Sequence, residues 1–209
     1  MSVILKSLND SQNMTTDFLQ EIVCHKLVSY SDGSPFAIVP CYGISQDPAT
    51  KNYLMVMQYI DGGNLRQYLQ NNCKLDFYQR LSPLLDIANG LNSIHQQGLI
   101  HRDFHPGNIL NSFVITDLGL CRPANELDNG KVFGVLPYVA PEVLKGELYD
   151  QKSDIYSFGI VMYEYISGLL PYHNLAHDTD LALKICQGLR PNLNNVKVPK
   201  LLKDLITKC

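Results

Sequence analysis

Residues 101–110 read HRDFHPGNIL, and this stretch decides how the rest of the chain is interpreted. It holds Asp103 and Asn108 five positions apart, in a segment whose proline and glycine favour a loop. Asp117 follows in ITDLGL (115–120), between a short apolar run and a glycine. A strand–loop–strand hairpin would bring Asn108 and Asp117 to one site, while Asp103 faces a second group. Carboxylate and amide oxygens are the ligands that Mg²⁺ prefers, so this arrangement is typical of phosphoryl transfer.

Two further motifs follow the hairpin, APE at 140–142 and SDIYSFG at 153–159. Each motif alone is weak, because a single Asp at a strand end is more often a turn or cap residue. The complete ordered set is far more specific, and it resembles the eukaryotic protein kinase family over nearly the whole chain. The stretches GVLPYVAPE and SFGIVMYE are similar in style to the tyrosine-kinase-like branch.

The resemblance implies roles for five charged or polar residues. HRDFHPGN matches the catalytic loop of the family, which makes Asp103 the catalytic base and Asn108 a Mg²⁺ ligand. DLG stands for the family's DFG and makes Asp117 the main metal ligand. VILK, the counterpart of the third-strand VAIK, makes Lys6 the lysine that holds the ATP phosphates. Glu21 is expected to pair with Lys6, because no other Glu precedes position 126. ATP and Mg²⁺ are the implied cofactors, and a protein is the implied substrate.

The nucleotide's base would bind in the segment LMVMQYIDGGNL, which resembles the connection between the two lobes of a kinase. There Met57 would be the gatekeeper, and the backbone from Gln58 to Ile60 would contact the adenine. Leu110 would form part of the adenine floor. Asp154, on the helix that follows APE, would brace the backbone of the catalytic loop.

The predicted fold class is α+β, a two-lobed protein-kinase-like fold with an incomplete N-lobe and a mainly helical C-lobe. Residues 1–61 are predicted to form the partial N-lobe and hinge, and residues 62–209 the C-lobe. Hydrophobic periodicity predicts strands at Val3–Leu5, 36–44 and 52–60. It predicts helices at 16–28, 78–97, 153–167, 178–188 and 199–208.

Two local predictions concern the helices at 16–28 and 153–167. The first helix has an apolar stripe, made of Phe18, Leu19, Ile22, Val23 and Leu27. A stripe of this kind is expected to face the core. The second helix has Ser153 as a plausible N-cap.

Several positions depart from the family pattern. The chain begins at the counterpart of the third strand, so the first two strands and the glycine-rich loop lie outside it, and it stops before the family's last helices. His105 stands where serine/threonine kinases carry Lys, and it is either a plain loop residue or a phosphate contact. Residues 120–133 contain no Ser, Thr or Tyr, so phosphorylation there cannot provide a partner for Arg102. Glu126 or Asp128 is expected to pair with Arg102 instead.

Composition narrows the class of protein. The formal net charge is −3 without a long basic run, which argues against nucleic acid as the main partner. The most apolar stretch (158–170) is interrupted by Glu164 and is too short to span a membrane. The six cysteines include no CxxC pair, and a cytoplasmic protein with reduced thiols is expected. Two alternatives to a protein kinase stay open, namely a pseudokinase-like interaction module and a small-molecule phosphotransferase.

Overall fold

Three antiparallel strands form a small sheet near the N-terminus, in a computed structural model that describes residues 2–7, 16–29, 38–71, 77–124, 131–194, 196 and 198–209. The strands are β1 (Val3–Ser7), β2 (Cys41–Gln46) and β3 (Tyr53–Gln58), with β3 in the centre. The register pairs Lys6 with Met55 and Ile4 with Met57. Directly opposed residues project from the same face of an antiparallel sheet. Because Met55 and Met57 are buried, Lys6 projects from the inner face.

Helix α1 (Thr16–Ser29) agrees with the predicted helix at 16–28, but of the predicted stripe only Ile22 is described as packing against the core. Leu19, Val23 and Leu27, from the predicted stripe, are 46%, 45% and 44% exposed. The buried residues are Glu21, Cys24, His25 and Val28. The pairing of Glu21 with Lys6 sets the rotation of the helix, because it requires the side that carries Glu21 to face the sheet. The side chain of Phe18 lies outside the described residues.

The remainder of the described chain is mainly helical. Its elements are α2 (Leu65–Asn71), α3 (Phe77–Gln96), β4 (Leu99–Ile100), β5 (Arg122–Pro123), α4 (Pro141–Leu144), α5 (Gln151–Ser167), α6 (Thr179–Cys186) and α7 (Lys200–Lys208). The four other predicted helices are confirmed as α3, α5, α6 and α7, with boundaries shifted by up to two residues. The α+β fold class is confirmed, while the division into 1–61 and 62–209 stays a prediction. No helix among the described residues is long and apolar enough to cross a bilayer.

Helix α5 lies at the centre of the helical part and is buried on nearly every side. A helix that is apolar all round is typical of a protein interior. Its N-cap is Asp150 and not Ser153 as predicted, because the Asp150 carboxylate accepts a hydrogen bond of 2.9 Å from the Ser153 N–H. Gly168 ends the helix in a left-handed conformation with φ of 71°.

Helix α2 was not predicted, although the sequence carries a signal for it. The side chain of Asn64 accepts a hydrogen bond from the Gln67 N–H at 3.1 Å, and the Gln67 side chain accepts one from the Asn64 N–H at 2.9 Å. This reciprocal pair is a capping box with Asn in place of Ser or Thr. The helix is short, so its apolar periodicity is too brief to be recognised.

Candidate active site

A three-residue ion cluster joins the sheet, α1 and the loop after Ile115. The Lys6 ammonium lies 2.7 Å from Glu21 Oε1 and 2.8 Å from Asp117 Oδ1. The pair of Lys6 and Glu21 that the sequence predicts is therefore present, but the contact with Asp117 was not anticipated. The Glu21 side chain is only 4% exposed, whereas that of Asp117 is 48% exposed. Asp117 thus remains open to a ligand while it contacts Lys6.

The cluster shifts the pKa values of Lys6 and Asp117 in the directions that favour the charged form of each group. Burial alone would lower the pKa of Lys6, but the neighbouring carboxylates of Glu21 and Asp117 outweigh it and raise that pKa. Burial would raise the pKa of Asp117, but the hydrogen bond and charge of Lys6 lower it below its ordinary value. Both groups are therefore charged at neutral pH.

The backbone around Asp117 is tightly packed. Asp117 has a positive φ of 59°, a left-handed conformation that few non-glycine residues adopt. Two residues on, a Cβ atom at Gly119 would lie 3.3 Å from both Asp117 Oδ1 and Glu21 Oε2. Glycine at this position lets the loop pass close to the ion cluster.

The predicted strand–loop–strand hairpin brings the catalytic loop to the ion cluster. Ile109 and Ile115 form an antiparallel bridge, and Leu110 N–H donates to Val114 O at 2.9 Å. At the base of the hairpin, Thr116 N–H donates to Asn108 O at 2.9 Å. Asn108 is therefore held beside the residue that precedes Asp117.

Asp103 and Asn108 are joined within the same loop. The Asn108 side-chain nitrogen donates to Asp103 O at 2.9 Å and to Asp103 Oδ2 at 3.2 Å. Burial would raise the pKa of Asp103, but His105, His101 and the Asn108 amide outweigh it and lower that pKa. A carboxylate that is ionised at neutral pH is suited to accept a proton.

Asp154 braces this loop from α5, as the sequence predicts. Its carboxylate accepts hydrogen bonds from the His101 N–H at 2.8 Å and the Arg102 N–H at 3.0 Å. The His95 Nε2 atom lies 2.9 Å from the same carboxylate. Arg102 has a positive φ of 71°, so these bonds hold a backbone conformation that would otherwise be unfavourable. His95 was missed by sequence reasoning, because a His near the end of a helix has no motif that marks it.

Two aromatic rings pack against the guanidinium of Arg102. Its carbon Cζ lies 4.9 Å from the centre of the Phe133 ring and 4.7 Å from that of the Tyr149 ring. The Tyr149 hydroxyl accepts from Phe133 N–H and donates to Phe133 O, both at 2.7 Å. The two rings are thus fixed relative to each other. The predicted partners, Glu126 and Asp128, lie outside the described residues.

The predicted adenine contacts fall in one apolar cluster. Met57 is buried in it together with Val39, Met55 and Val114, and Ile60 and Leu110 pack against it half-buried. The strand ladder continues to Tyr59, whose N–H donates to Ser2 O at 3.2 Å, and stops before Ile60. Gln58, which precedes Tyr59, pairs with Val3 in the sheet and donates its N–H to Pro40 O.

The donor set near Asp117 suits a hard cation bound jointly with phosphate. Among the described residues no three His, Cys, Asp or Glu side chains converge on one point, so a complete protein cage for a metal is absent there. Asn108 uses its amide nitrogen toward Asp103, which leaves its amide oxygen as the candidate ligand. One carboxylate and one amide oxygen are what Mg²⁺ needs when phosphates and water complete the octahedron.

A cavity of about 600 Å³ elsewhere in the helical part has no such chemistry. Arg80 and Arg190 are on its wall, and both donate to backbone carbonyl groups. The charged groups suited to phosphoryl transfer lie instead around Lys6, Asp103 and Asp117.

Comparison with known proteins agrees with this geometry. The family model described as "Protein kinase domain" matches residues 2–209. A probable serine/threonine-protein kinase of Clostridium acetobutylicum is 35% identical, over 82% of this chain and 27% of that protein. Another of Dictyostelium discoideum is 32% identical, over 99% of this chain and 16% of that protein. The serine/threonine-protein kinase VIK of Arabidopsis thaliana is 30% identical, over 99% of this chain and 48% of that protein. The chain therefore spans less than half the length of each of these relatives. With a family match over nearly its full length, the chain belongs to the protein kinase domain family.

Proposed function

We propose that this chain transfers the γ-phosphoryl group of ATP to a hydroxyl group of a protein. The observation that carries the proposal is that one hairpin connects two groups of charged and polar side chains. Lys6, Glu21 and Asp117 form the first set, and Asp103 with Asn108 forms the second. Phosphoryl transfer needs charge neutralisation and positioning more than covalent chemistry, and these sets supply both.

Asp103 acts on the acceptor hydroxyl in this proposal. Its Oδ1 atom is buried, while its side chain is 22% exposed, so Oδ2 presents the accessible part of the carboxylate. Oδ2 accepts a hydrogen bond from the hydroxyl, orients its oxygen toward the phosphorus and takes the proton as the new bond forms. The lowered pKa of Asp103 keeps this base ionised before the reaction.

Lys6 holds the phosphates of the nucleotide. Its ammonium is positioned by Glu21, which is buried and keeps the lysine charged. Glu21 and Asp117 use two of the three N–H donors of the ammonium, so the third donor is left for the phosphates. Glu21 retains its contact throughout and so prevents Lys6 from leaving the cleft.

Asp117 and the amide oxygen of Asn108 would hold Mg²⁺. When bound, the ion would neutralise charge that develops on the transferred group. Met57, Ile60 and Leu110 would enclose the adenine on their apolar surfaces, and the backbone at Gln58 to Ile60 would supply its polar contacts.

Serine or threonine is the proposed acceptor, because the relatives are named serine/threonine-protein kinases. The proposed location is the cytoplasm, where ATP is available and thiols stay reduced. All five cysteines among the described residues are free, including the buried Cys24 and Cys121.

Thermal unfolding with and without Mg·ATP tests the nucleotide site. Ligand at 100 times its dissociation constant adds about 2.7 kcal/mol to the free energy of unfolding. We expect a rise in Tm that is lost in Asp117→Asn and kept in the matched control Asp180→Asn, which alters only an exposed pair with Lys184. No rise in the wild type would favour the interaction module. A rise with transfer to amino alcohols or aminoglycosides, and none to peptides, would favour the small-molecule phosphotransferase.

A further inference from the structure

We propose that His105 is a positioning residue, which fixes the Oδ1 atom of the catalytic carboxylate Asp103 so that Oδ2 faces the acceptor hydroxyl. This inference rests on the proposed function. His105 stands where serine/threonine kinases carry Lys. In this inference His105 acts by contacting Asp103 and not by contacting a phosphate group.

The hydrogen bonding of the His105 ring assigns its tautomer. The Nδ1 atom accepts a hydrogen bond of 2.9 Å from the Gly107 N–H, in the turn that opens the short 3₁₀ segment Pro106–Asn108. A ring nitrogen that accepts carries no proton, so the proton of the neutral ring lies on Nε2. The donor of the ring is thereby placed on its far side from Gly107.

The Nε2 donor faces the catalytic carboxylate. It lies 3.4 Å from Asp103 Oδ1, an atom that is buried and makes no short hydrogen bond within the described residues. This distance is long for a full hydrogen bond, but catalytic contacts commonly tighten when substrate binds. Asn108 donates to the other oxygen, Oδ2, at 3.2 Å. One donor on each oxygen fixes the rotation of the carboxylate about its χ2 bond.

Packing keeps the ring in place. A Cβ atom at Gly107 would lie 2.6 Å from His105 Cε1, so the ring occupies space that only glycine leaves open. The Tyr138 ring lies on another side, with a centroid distance of 6.0 Å. Tyr138 is itself fixed, because its hydroxyl donates to Glu164 and accepts from Arg66. The His105 side chain is only 15% exposed, so it has little freedom to turn elsewhere.

The same contacts argue against a direct phosphate contact by His105. Its two ring nitrogens are directed at Gly107 and Asp103, and a proton on Nδ1 would remove the acceptor of the Gly107 N–H. A lysine here would reach beyond Asp103, whereas the short, planar His ring stops at it. His at this position therefore contacts Asp103, whereas the longer Lys side chain would extend past it.

Two substitutions separate the positioning role from the turn. His105→Gln places an amide nitrogen near the position of Nε2 and keeps a donor for Asp103. His105→Asn places its amide oxygen near Nδ1 and keeps the acceptor for Gly107, but its donor cannot reach Asp103. The kcat and KM values are measured with Mg·ATP and a peptide chosen from a library with Ser, Thr or Tyr at the centre. Unfolding of each variant is measured in parallel.

We expect His105→Asn to unfold like the wild type and to lose roughly 10- to 100-fold in kcat, the effect of one hydrogen bond to a charged group. The KM for ATP should change less than about twofold, because His105 does not contact the nucleotide. His105→Gln should recover most of the lost kcat. Gly107→Ala, which displaces the ring while His105 remains, should reproduce the loss.

Other results would overturn the inference. Equal kcat values for His105→Asn and the wild type, or a higher kcat for the Asn than for the Gln variant, would leave only a structural role in the turn. A loss that appears in the KM for ATP would indicate a phosphate contact. A wild type that transfers no phosphate to any peptide would instead refute the proposed function, and the positioning role with it.

The tautomer can be tested without turnover. In the neutral form of the His105 ring, the ¹⁵N shifts should show the proton on Nε2 and none on Nδ1. Asp103→Asn should perturb the Nε2 signal more than that of Nδ1. A proton on Nδ1 in the wild type would refute the assignment.

Discussion

The guanidinium of Arg102 packs between the rings of Phe133 and Tyr149. A cation over an aromatic ring gains about 0.5 to 2 kcal/mol, more when it is desolvated. Arg102 is 9% exposed, so water screens the interaction poorly. Because residues 120–133 contain no Ser, Thr or Tyr, this stack takes the place that a phosphate group could otherwise fill. Phe133, in the segment that follows the 101–110 loop, is held by this contact and by the hydrogen bonds of its backbone with the Tyr149 hydroxyl.

Replacement of Phe133 by Leu tests this stack, because it keeps apolar volume but removes the ring. We expect a several-fold loss of kcat and a free energy of unfolding lower by about 1 kcal/mol. Phosphatase treatment of the wild-type chain should leave its kcat unchanged. Tyr149→Phe is the matched variant, since it keeps a ring beside Arg102 and removes only the hydroxyl bonds to Phe133. Activation that depends on phosphorylation within 120–133 is impossible by composition, so a phosphatase-sensitive rate would reveal control from elsewhere.

The role of an individual residue was predicted best where its type is rare in that part of the sequence or where it stands in a recognised motif. Glu21 could be assigned to Lys6 because no other Glu lies nearby in the sequence, and Asp154 because it stands in a recognised motif. The contact between Lys6 and Asp117 spans 111 positions, and no local pattern encodes it. The predicted partners of Arg102, Glu126 and Asp128, lie outside the described residues, so that pairing stays a prediction. The two ring contacts of Arg102 were not predicted, because opposite charge pointed only to carboxylates.

Among the elements, α1 shows why an apolar stripe does not always mark the buried side of a helix. Leu19, Val23 and Leu27 are nearly half exposed, while Glu21 and His25 are buried. A charge pair needs close contact, so the interaction of Glu21 with Lys6 determines which side faces inward. The helix itself was predicted correctly, because its existence depends on periodicity and not on orientation.

The burial of His25 in α1 predicts a loss of stability in mild acid. Burial, aided by the charge of Lys6, lowers the pKa of His25 from 6.5 to about 4. The unfolded chain therefore binds this proton first as the pH falls. Above pH 6.5, His25 should make the free energy of unfolding neither rise nor fall with pH. It should decline between pH 6.5 and 4, by up to about 3 kcal/mol.

Denaturant unfolding at several pH values measures this decline. His25→Leu should flatten it, because a buried Leu carries no proton in either state. Some slope should remain, since burial also lowers the pKa of His101. His173→Gln is the matched control, because this His is exposed in the loop after α5. If the free energy of unfolding of His25→Leu fell with pH as steeply as that of the wild type, the predicted role of His25 would be contradicted.

In the whole molecule, the candidate site is assembled from residues that are distant along the chain. Lys6 comes from the sheet, Glu21 from α1, Asp103 and Asn108 from one loop, and Asp117 from the hairpin that follows. Helix α5 is buried in the core, and its Asp154 carboxylate accepts hydrogen bonds from the backbone of the 101–110 loop. These bonds fix the position of the loop relative to the core. Rigid support of this kind allows a site to hold charges at fixed distances before substrate arrives.

The fold was predictable because the order and spacing of HRD, DLG and APE resemble those of the protein kinase family. The boundaries were less certain. Strand β2 begins at Cys41, later than predicted, because Ile38 and Val39 pair with Ile115 and not with β3. Helix α2 was missed because it is held by its cap and by contacts with the 3₁₀ segment Pro106–Asn108 rather than by a long apolar pattern. These features depend on tertiary contacts that periodicity does not record.

Transfer of the γ-phosphate from Mg·ATP to the peptide library, by the wild type and by Asp103→Asn, tests the central claim most directly. The substitution keeps the shape of the side chain and removes the group that accepts the proton. We expect the wild type to phosphorylate peptides with Ser or Thr at the centre. We expect Asp103→Asn to lose about 10²- to 10⁴-fold in kcat, the usual effect of removing a general base, while Mg·ATP still raises its Tm. Equal rates for the two chains would contradict the assignment of Asp103, and no transfer by the wild type would contradict the proposed function itself.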